Sequence, residues 1–236
     1  MADSLQQENI QPDDEEHGLN RNRILDAGAA YIENYGLRQL TMRKLGAELG
    51  VEAMALYRYV PSRDDLMDGI VERVINDLFQ DPEVPGDAAN GWQDYLIRLA
   101  HGLRRLALTH PQVFPLIATR PPEAPWIRPP LRSLRWTDSF LAALTSSGFS
   151  DKPAVAAYRG FSSFLLGHLL LEVASHGADI GPEESADPSK PRSATDLTAF
   201  PHIHRMQAQL SEDRSAEEFE ESLEVLIERI GLLAES

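Results

Sequence analysis

Seven cationic side chains fall within residues 20–63: Arg21, Arg23, Arg38, Arg43, Lys44, Arg58 and Arg63. Tyr57 and Tyr59 flank Arg58. Guanidinium groups pair bidentately with guanine O6 and N7, while lysine, threonine and tyrosine reach phosphate oxygens. The chemistry on offer is recognition of a polyanion. Only Asp26, Glu33, Glu48 and Glu52 oppose the seven bases, so the segment carries +3, leaving −18 on the rest of a chain whose total is −15. Such a split gives one face that approaches phosphate and an acidic body that repels it.

Other reactive patterns are weaker. Asp64-Asp65-Leu66-Met67-Asp68 matches DDxxD, the magnesium–diphosphate motif of all-α prenyl-transferring enzymes. That chemistry needs two facing acidic clusters, and the second is missing. Carboxylates just after a capping serine are explained by the helix dipole. His202 and His204 would diverge on a helix. Asp13 to His17 reads as a solvated run. There is no cysteine, no Gly-rich phosphate loop and no G-x-S-x-G elbow. No catalytic residue, metal site or cofactor is therefore assigned.

The elements around the basic segment read at helical period throughout, which predicts an all-α chain. Residues 21–35 place Ile24, Gly28, Tyr31 and Tyr35 on one side, widened by Leu25, Ala29 and Ile32, and Gly36 ends that helix. Thr41 opens a second helix with Leu45 and Leu49 inward, closed by Gly50. A very short third helix follows and stops at Pro61. Ser62-Arg63-Asp64-Asp65 is a capping box that opens a fourth helix. Further helices are predicted at about 88–109, 130–147, 153–175 and 215–234. Residues 1–19 read as a disordered acidic tail, 20–66 as a helix-turn-helix domain, and 67–236 as a larger helical bundle containing a flexible loop at 177–199.

Two short helices joined by a tight glycine turn on a longer helix describe a helix-turn-helix. Leu45, Leu49, Val51 and Leu56 hold the pair inward. The opposite face of residues 53–59 is then free to enter a major groove about 12 Å wide. Ala53 and Ala55 let the backbone approach and can touch thymine methyls. Base reading falls to Arg43 with Tyr57, Arg58 or Tyr59; Thr41, Lys44, Tyr57, Tyr59 and Arg63 hold phosphates. Met42 and Met54 complete the predicted DNA-facing set.

The stretch LTMRKLGAELGVEAMALYRYVPSRDDLMDGI closely resembles the DNA-binding domain of the tetracycline-repressor (TetR) family. The marks are Leu-Thr-x-Arg-Lys-Leu, Leu-Gly-Val at the turn, Leu-Tyr-x-x-Val and the Asp/Leu-rich fourth helix. ATRPP (118–122), GFS (148–150) and FLLG (164–167) resemble the family's tetracycline-repressor-like C-terminal domain. The resemblance implies a homodimer that binds a palindromic operator in double-stranded DNA and represses transcription until a small molecule releases it. Apart from the resemblance, the absence of cysteine suits a reducing cytoplasm, and no run approaches the ~18 consecutive apolar residues of a membrane span, so a cytoplasmic protein with no membrane partner is expected. Two departures matter. Ala53 and Ala55 replace polar groups, so operator sequence does not carry over. Leu116 stands where tetracycline binders carry a metal-ligating histidine, which disfavours a magnesium–tetracycline chelate.

On the same grounds the dimer surface is expected on the 153–175 helix, at Gly160, Ser163 and Gly167, and on the last helix, at Phe219, Leu223, Leu226, Ile227 and Ile230. A pocket for a flat, hydrophobic effector is expected among Phe114, Leu116, Thr119, Arg120, Trp126, Trp136, Phe140, Phe161, Phe164 and His168. A regulator without an effector is the first alternative, and the magnesium-dependent prenyl-transferring enzyme the remote one.

Overall fold

The computed structural model of the chain describes residues 18–121, 126–128, 133–180 and 197–234. The predicted acidic tail, apart from Gly18 and Leu19, and residues 181–196 of the predicted loop lie outside the described residues. Among the described residues every regular element is helical. The chain divides into two compact units, Met1–Arg73 and Val74–Ser236.

In the first unit, helix α1 (Arg21–Tyr35) starts on Asn20, whose side chain accepts from the Arg23 N–H. Its inward stripe is Ile24, Leu25, Gly28 and Ile32. Tyr35, placed inward by the sequence reading, is exposed, and its ring lies 4.6 Å from that of Tyr31 along the helix edge. The true stripe follows 24, 28, 32, and two tyrosines one turn apart mimic its continuation. Gly36, at φ 81°, ends α1. A 3₁₀ turn (Leu37–Gln39), absent from the sequence reading, leads to α2 (Met42–Glu48), α3 (Ala53–Leu56) and α4 (Arg63–Leu78).

Two close approaches fix this unit. A β-carbon on Gly28 of α1 would sit 2.8 Å from Ile70 Cδ1, and one on Gly69 of α4 would sit 2.6 Å from Leu25 Cδ2. Each glycine admits a branched side chain of the other helix, so the backbones close up. Leu45, Leu56, Val60 and Leu66 are fully buried beneath. Arg73 Nε donates to Asp26 Oδ1 at 2.9 Å across the rim of the same helix pair.

The second unit is a bundle around α8 (Asp151–Ser175), which packs on α5 (Trp92–Thr109), α6 (Phe114–Thr119), α7 (Leu134–Ser146) and α10 (Ser215–Ala234). Tyr95, Phe114, Trp136, Phe140, Phe161 and Phe219 are its large core side chains. α5 begins later than predicted, because Gly91 turns the chain at φ 100°. α8 begins earlier, because Pro153 lies in its first turn, where no intrahelical donor is lost. Residues 197–199, assigned to a loop, form a 3₁₀ turn, and α9 (Pro201–Leu210) follows with every residue exposed.

One ion pair sits inside this bundle. Glu172 of α8 is 4% exposed, and Arg104 of α5 reaches it with Nη2–Oε1 at 2.5 Å and Nε–Oε2 at 3.1 Å. The Arg104 guanidinium also lies 5.2 Å from the centre of the Phe219 ring. The hydrogen bond to Glu172 pushes the Arg104 pKa up. The chain between α4 and α5 is pinned by two more arginines. Arg98 Nε donates to the Glu83 carbonyl at 2.8 Å, and Arg105 holds Asp81 at 2.6 Å and Glu83 at 3.0 Å.

Leu56→Ala removes a side chain with no exposure and should cost about 2–5 kcal/mol, read by urea denaturation. The Arg105 hydrogen bond, with the Glu83 backbone N–H behind it, holds the Asp81 carboxyl below the usual aspartate value of 3.8. A depressed carboxylate stabilises the fold above its unfolded pKa, and that contribution is lost as pH falls through the folded value. Asp81→Asn should therefore lower stability near neutral pH and flatten its decline below about pH 4. Denaturation curves for both proteins between pH 7 and 2 check this.

Candidate nucleic-acid interface

The presentation of α3 rests on residue 46. A β-carbon there would lie 2.8 Å from the Val51 carbonyl oxygen and 3.2 Å from the Ala53 nitrogen. Glycine lets the α2–α3 turn fold back tightly, and the Val51 N–H closes it by donating to the Gly46 carbonyl at 2.9 Å. Gly50 completes the reversal at φ 70°, a left-handed conformation that favours glycine. Leu56 then plugs α3 into the core, and Pro61 ends the segment just past buried Val60.

The outward side of this turn carries most of the predicted residues. Thr41, Arg43, Lys44, Met54, Tyr57, Arg58, Tyr59 and Arg63 are exposed, and Ala53 and Ala55 are half-buried. Met54 is 74% exposed, an unpacked apolar side chain on a bare surface. Thr41 caps α2 by accepting from the Lys44 N–H at 3.2 Å, which leaves its hydroxyl proton free for a phosphate. Lys44 Nζ is steadied by Gln39 Oε1 at 2.8 Å. Arg21 Nη1 donates to the Tyr59 carbonyl at 3.3 Å and ties the end of the segment to α1.

One predicted member does not belong. Met42 is 8% exposed and buried with Leu45 under α2, so its side chain serves the core. It directly precedes Arg43, and sequence proximity alone placed it on the surface. Glu52, by contrast, was not predicted, yet it is exposed at the start of α3. The available signal was its sign: an acid among bases.

The acidic DDxxD run serves the start of α4. Ser62 Oγ accepts from the Asp65 N–H at 3.0 Å and donates to Asp65 Oδ2 at 2.6 Å, which is the predicted capping box. His202 and His204 lie on α9, with His202 Nδ1 3.3 Å from Arg205 Nη2.

The residues predicted to line an effector pocket are placed differently from expectation. Phe114, Trp136, Phe140 and Phe161 are packed at 0–1% exposure, with Leu116 at 6%, as core side chains. Thr119 bonds back to the Pro115 carbonyl at 2.7 Å and is exposed, and Arg120 is half-buried. Trp126 is 80% exposed. His168 borders an opening. A cavity of about 460 Å³ is lined by His168, Leu171, Glu172, Leu210, Arg214 and Glu218 with their neighbours. Phe164 stands 5.6 Å from His168, ring centre to ring centre. Among the described residues, Trp136 Nε1, Ser162 Oγ and His168 Nε2 are buried without a hydrogen-bond partner.

The predicted dimer stripe also divides. Gly160, Ser163 and Gly167 are exposed. Phe219, Leu223, Ile227 and Ile230 are buried in the subunit's own core, and Leu226 is half-buried. The outward face of α10 is instead Ser222, Val225, Arg229 and Leu232, rotated from the predicted stripe.

Residues 24–70 match the family model described as bacterial regulatory proteins, tetR family, and residues 84–234 match tetracyclin repressor-like, C-terminal domain. The chain belongs to the TetR family. It is similar to an HTH-type transcriptional regulator of Saccharopolyspora erythraea, 30% identical over 154 residues, which make up 65% of this chain and 61% of that one. It thus spans under two thirds of that relative's length. Tetracycline repressor protein class D of Escherichia coli is 28% identical over 176 residues, 72% of this chain and 76% of its own. The crystal structure of a possible TetR family transcriptional regulator from Streptomyces coelicolor A3(2) superposes with a TM-score of 0.71 at 26% identity, covering 91% of this chain and 100% of that one. The TetR helix-turn-helix model thus covers Gly46, Arg43 and α3.

Arg43→Ala removes an exposed guanidinium from the first turn of α2. It should cost about 1–3 kcal/mol on operator DNA, with unfolding unchanged. Competition between operator and random duplex is the measurement. Equal discrimination by variant and parent would reject the assignment.

Proposed function

We propose that this protein is a DNA-binding transcriptional regulator that represses from a palindromic operator as a homodimer and is released by a small molecule. The observation that carries the reading is the bare face of α3. The glycine turn presents it outward, and Arg43, Lys44, Arg58 and Arg63 surround it. Side chains at its edge hold phosphates while α3 lies in the major groove. The acidic remainder of the chain repels the duplex and leaves this face to approach it. A TetR-family regulator of this kind works in the cytoplasm and performs no bond chemistry. The prenyl-transfer reading loses its motif, since Asp65 is occupied by the Ser62 cap.

A single head grips one half-site. Two heads separated by about one helical turn of DNA, roughly 34 Å, or a multiple of it, supply the specificity of a palindrome. Support for the second copy comes from α8. It is long and apolar enough to cross a membrane by length and composition, yet only 39% of its apolar window is buried within the subunit. A helix apolar on nearly all sides needs cover on its second face. Ala156, Gly160, Ser163, Gly167 and Leu171 line that face, and Val225, Leu226 and Leu232 of α10 add apolar area. A second copy of the chain satisfies both in a four-helix arrangement.

The effector fits best beside His168, where the cavity volume matches that of small-molecule sites. Leu171 and Leu210 offer it apolar contact. The close packing of Trp136, Phe140 and Phe161 favours a second reading, a regulator controlled by its abundance or by a protein partner. A thermal-shift screen separates the two, because a ligand of the native state raises the melting temperature.

Gly167 tests the dimer cleanly. Gly167 is exposed and a β-carbon there meets nothing within 4 Å, so Gly167→Glu starts outward from the subunit without a clash at Cβ. The variant should run as a monomer in sedimentation and lose at least about tenfold in operator affinity. A dimeric Gly167→Glu with parental affinity would place the interface elsewhere.

A further inference from the structure

Three of the helix starts in the DNA-binding unit are capped by their own side chains. Asn20 accepts from Arg23 N, Thr41 from Lys44 N and Ser62 from Asp65 N. The fourth is different. Glu52 begins α3 with extended backbone, φ −68° and ψ 143°, and its side chain makes no cap hydrogen bond. Its carboxylate is exposed and has no ion pair or hydrogen bond among the described residues. The next three residues, Ala53, Met54 and Ala55, carry no hydrogen-bonding side chain.

A free carboxylate at this position is costly beside phosphate unless it meets a donor. We infer that Glu52 is a specificity-determining residue that accepts a hydrogen bond from the N4 amino group of a cytosine in each operator half-site. The inference rests on the DNA-binding reading above and adds the identity of one base pair.

The base follows from elimination by chemistry. A carboxylate can only accept. In the major groove, guanine presents N7 and O6, both acceptors, and thymine presents the O4 acceptor beside a methyl group. Each repels an anion or leaves it unpaired. Adenine offers the N6 donor but sets the N7 acceptor next to it. Cytosine sets its N4 donor between its own C5–H and the O6 of the paired guanine, an acceptor on one side only, whereas adenine N6 is flanked on both sides by its own N7 and the O4 of the paired thymine. Glu52 therefore selects cytosine, disfavours adenine and rejects guanine and thymine, and Arg43 on α2 reads guanine independently.

The test uses the full-length protein and duplexes selected from a randomised pool, for the parent, Glu52→Gln and Glu52→Ala. Melting curves confirm that both variants fold, as an exposed, uncapped position allows. The parent should select cytosine at one position per half-site, with a preference of about tenfold or more over the other bases. In Glu52→Gln the carboxamide both donates and accepts, so the preference at that position should move to adenine through N6 and N7. In Glu52→Ala that position should become indifferent, and all other positions should keep their bases. Two results overturn the inference while leaving DNA binding intact: base profiles identical in all three proteins, or both variants binding every duplex more tightly by one common factor. The second would mean that the carboxylate only repels phosphate. A parent that selects no sequence at all would overturn the DNA-binding reading itself, and this inference with it.

Discussion

The reading head depends on a side chain that is not there. With a methyl group at residue 46, the α2–α3 turn would have to open against the Val51 carbonyl, 2.8 Å from the added carbon. Backbone cannot yield as the tip of a leucine can, so α3 would tilt relative to α2. Everything outward of the turn inherits its position from that contact. Arg43 and Lys44 stand on α2, while Tyr57, Arg58 and Tyr59 follow the single turn of α3. A four-residue helix has too few hydrogen bonds to hold its own direction. Its aim comes from Leu56 below and from Gly46 beside it.

The same logic of close approach recurs one layer deeper, at Gly28 and Gly69, where each helix receives a branched residue of the other. Glycine inside a helix costs up to about 1 kcal/mol relative to alanine. Packing that could not otherwise form offsets that cost. The unit thus keeps a small core rigid with few large side chains, which suits an element whose outer surface must stay open.

Legibility followed the strength of local signals. The helices of the DNA-binding unit were readable from their periodicity and from the residues that bracket them: Gly36 closes the first, Thr41 and Gly50 enclose the second, and Ser62 after Pro61 opens the fourth, while the Asn20 cap of the first was not read. The 3₁₀ turn at Leu37–Gln39 and the six-residue α6 were not, since neither is long enough to show a period. α6 is further disguised by Pro111, Pro115 and Pro121, although Pro115 sits in its first turn, where it does no harm. At the site, the side chains expected to point outward are exposed where the helix-turn-helix geometry dictates direction, as at Arg43, Lys44, Tyr57 and Arg58. Met42 was misplaced because it lies next to Arg43, and successive residues of a helix point about 100° apart. Trp126 was misread by type: a large aromatic is usually buried, but this one is solvated.

The dimer stripe shows what a sequence cannot separate. α10 carries apolar residues on two faces, Phe219, Leu223, Ile227 and Ile230 on one, and Val225 and Leu232 on the other. Periodicity identifies the denser stripe but assigns it no partner. The subunit's own core takes it, because Phe219 must stand among Phe164, His168, His101 and Arg104. That placement in turn gives the buried Arg104–Glu172 pair its aromatic floor. An uncompensated charge here would be strongly unfavourable, so the pair fixes the registry of α5 against α8 while contributing little net stability. Once α5, α8 and α10 are locked this way, the leftover face of α8 carries the small residues Ala156, Gly160, Ser163 and Gly167, spaced three and four apart, with Leu171 one turn beyond. Its flatness results from the core having claimed the bulkier side, and that flatness is what lets another helix of matching shape lie close against it.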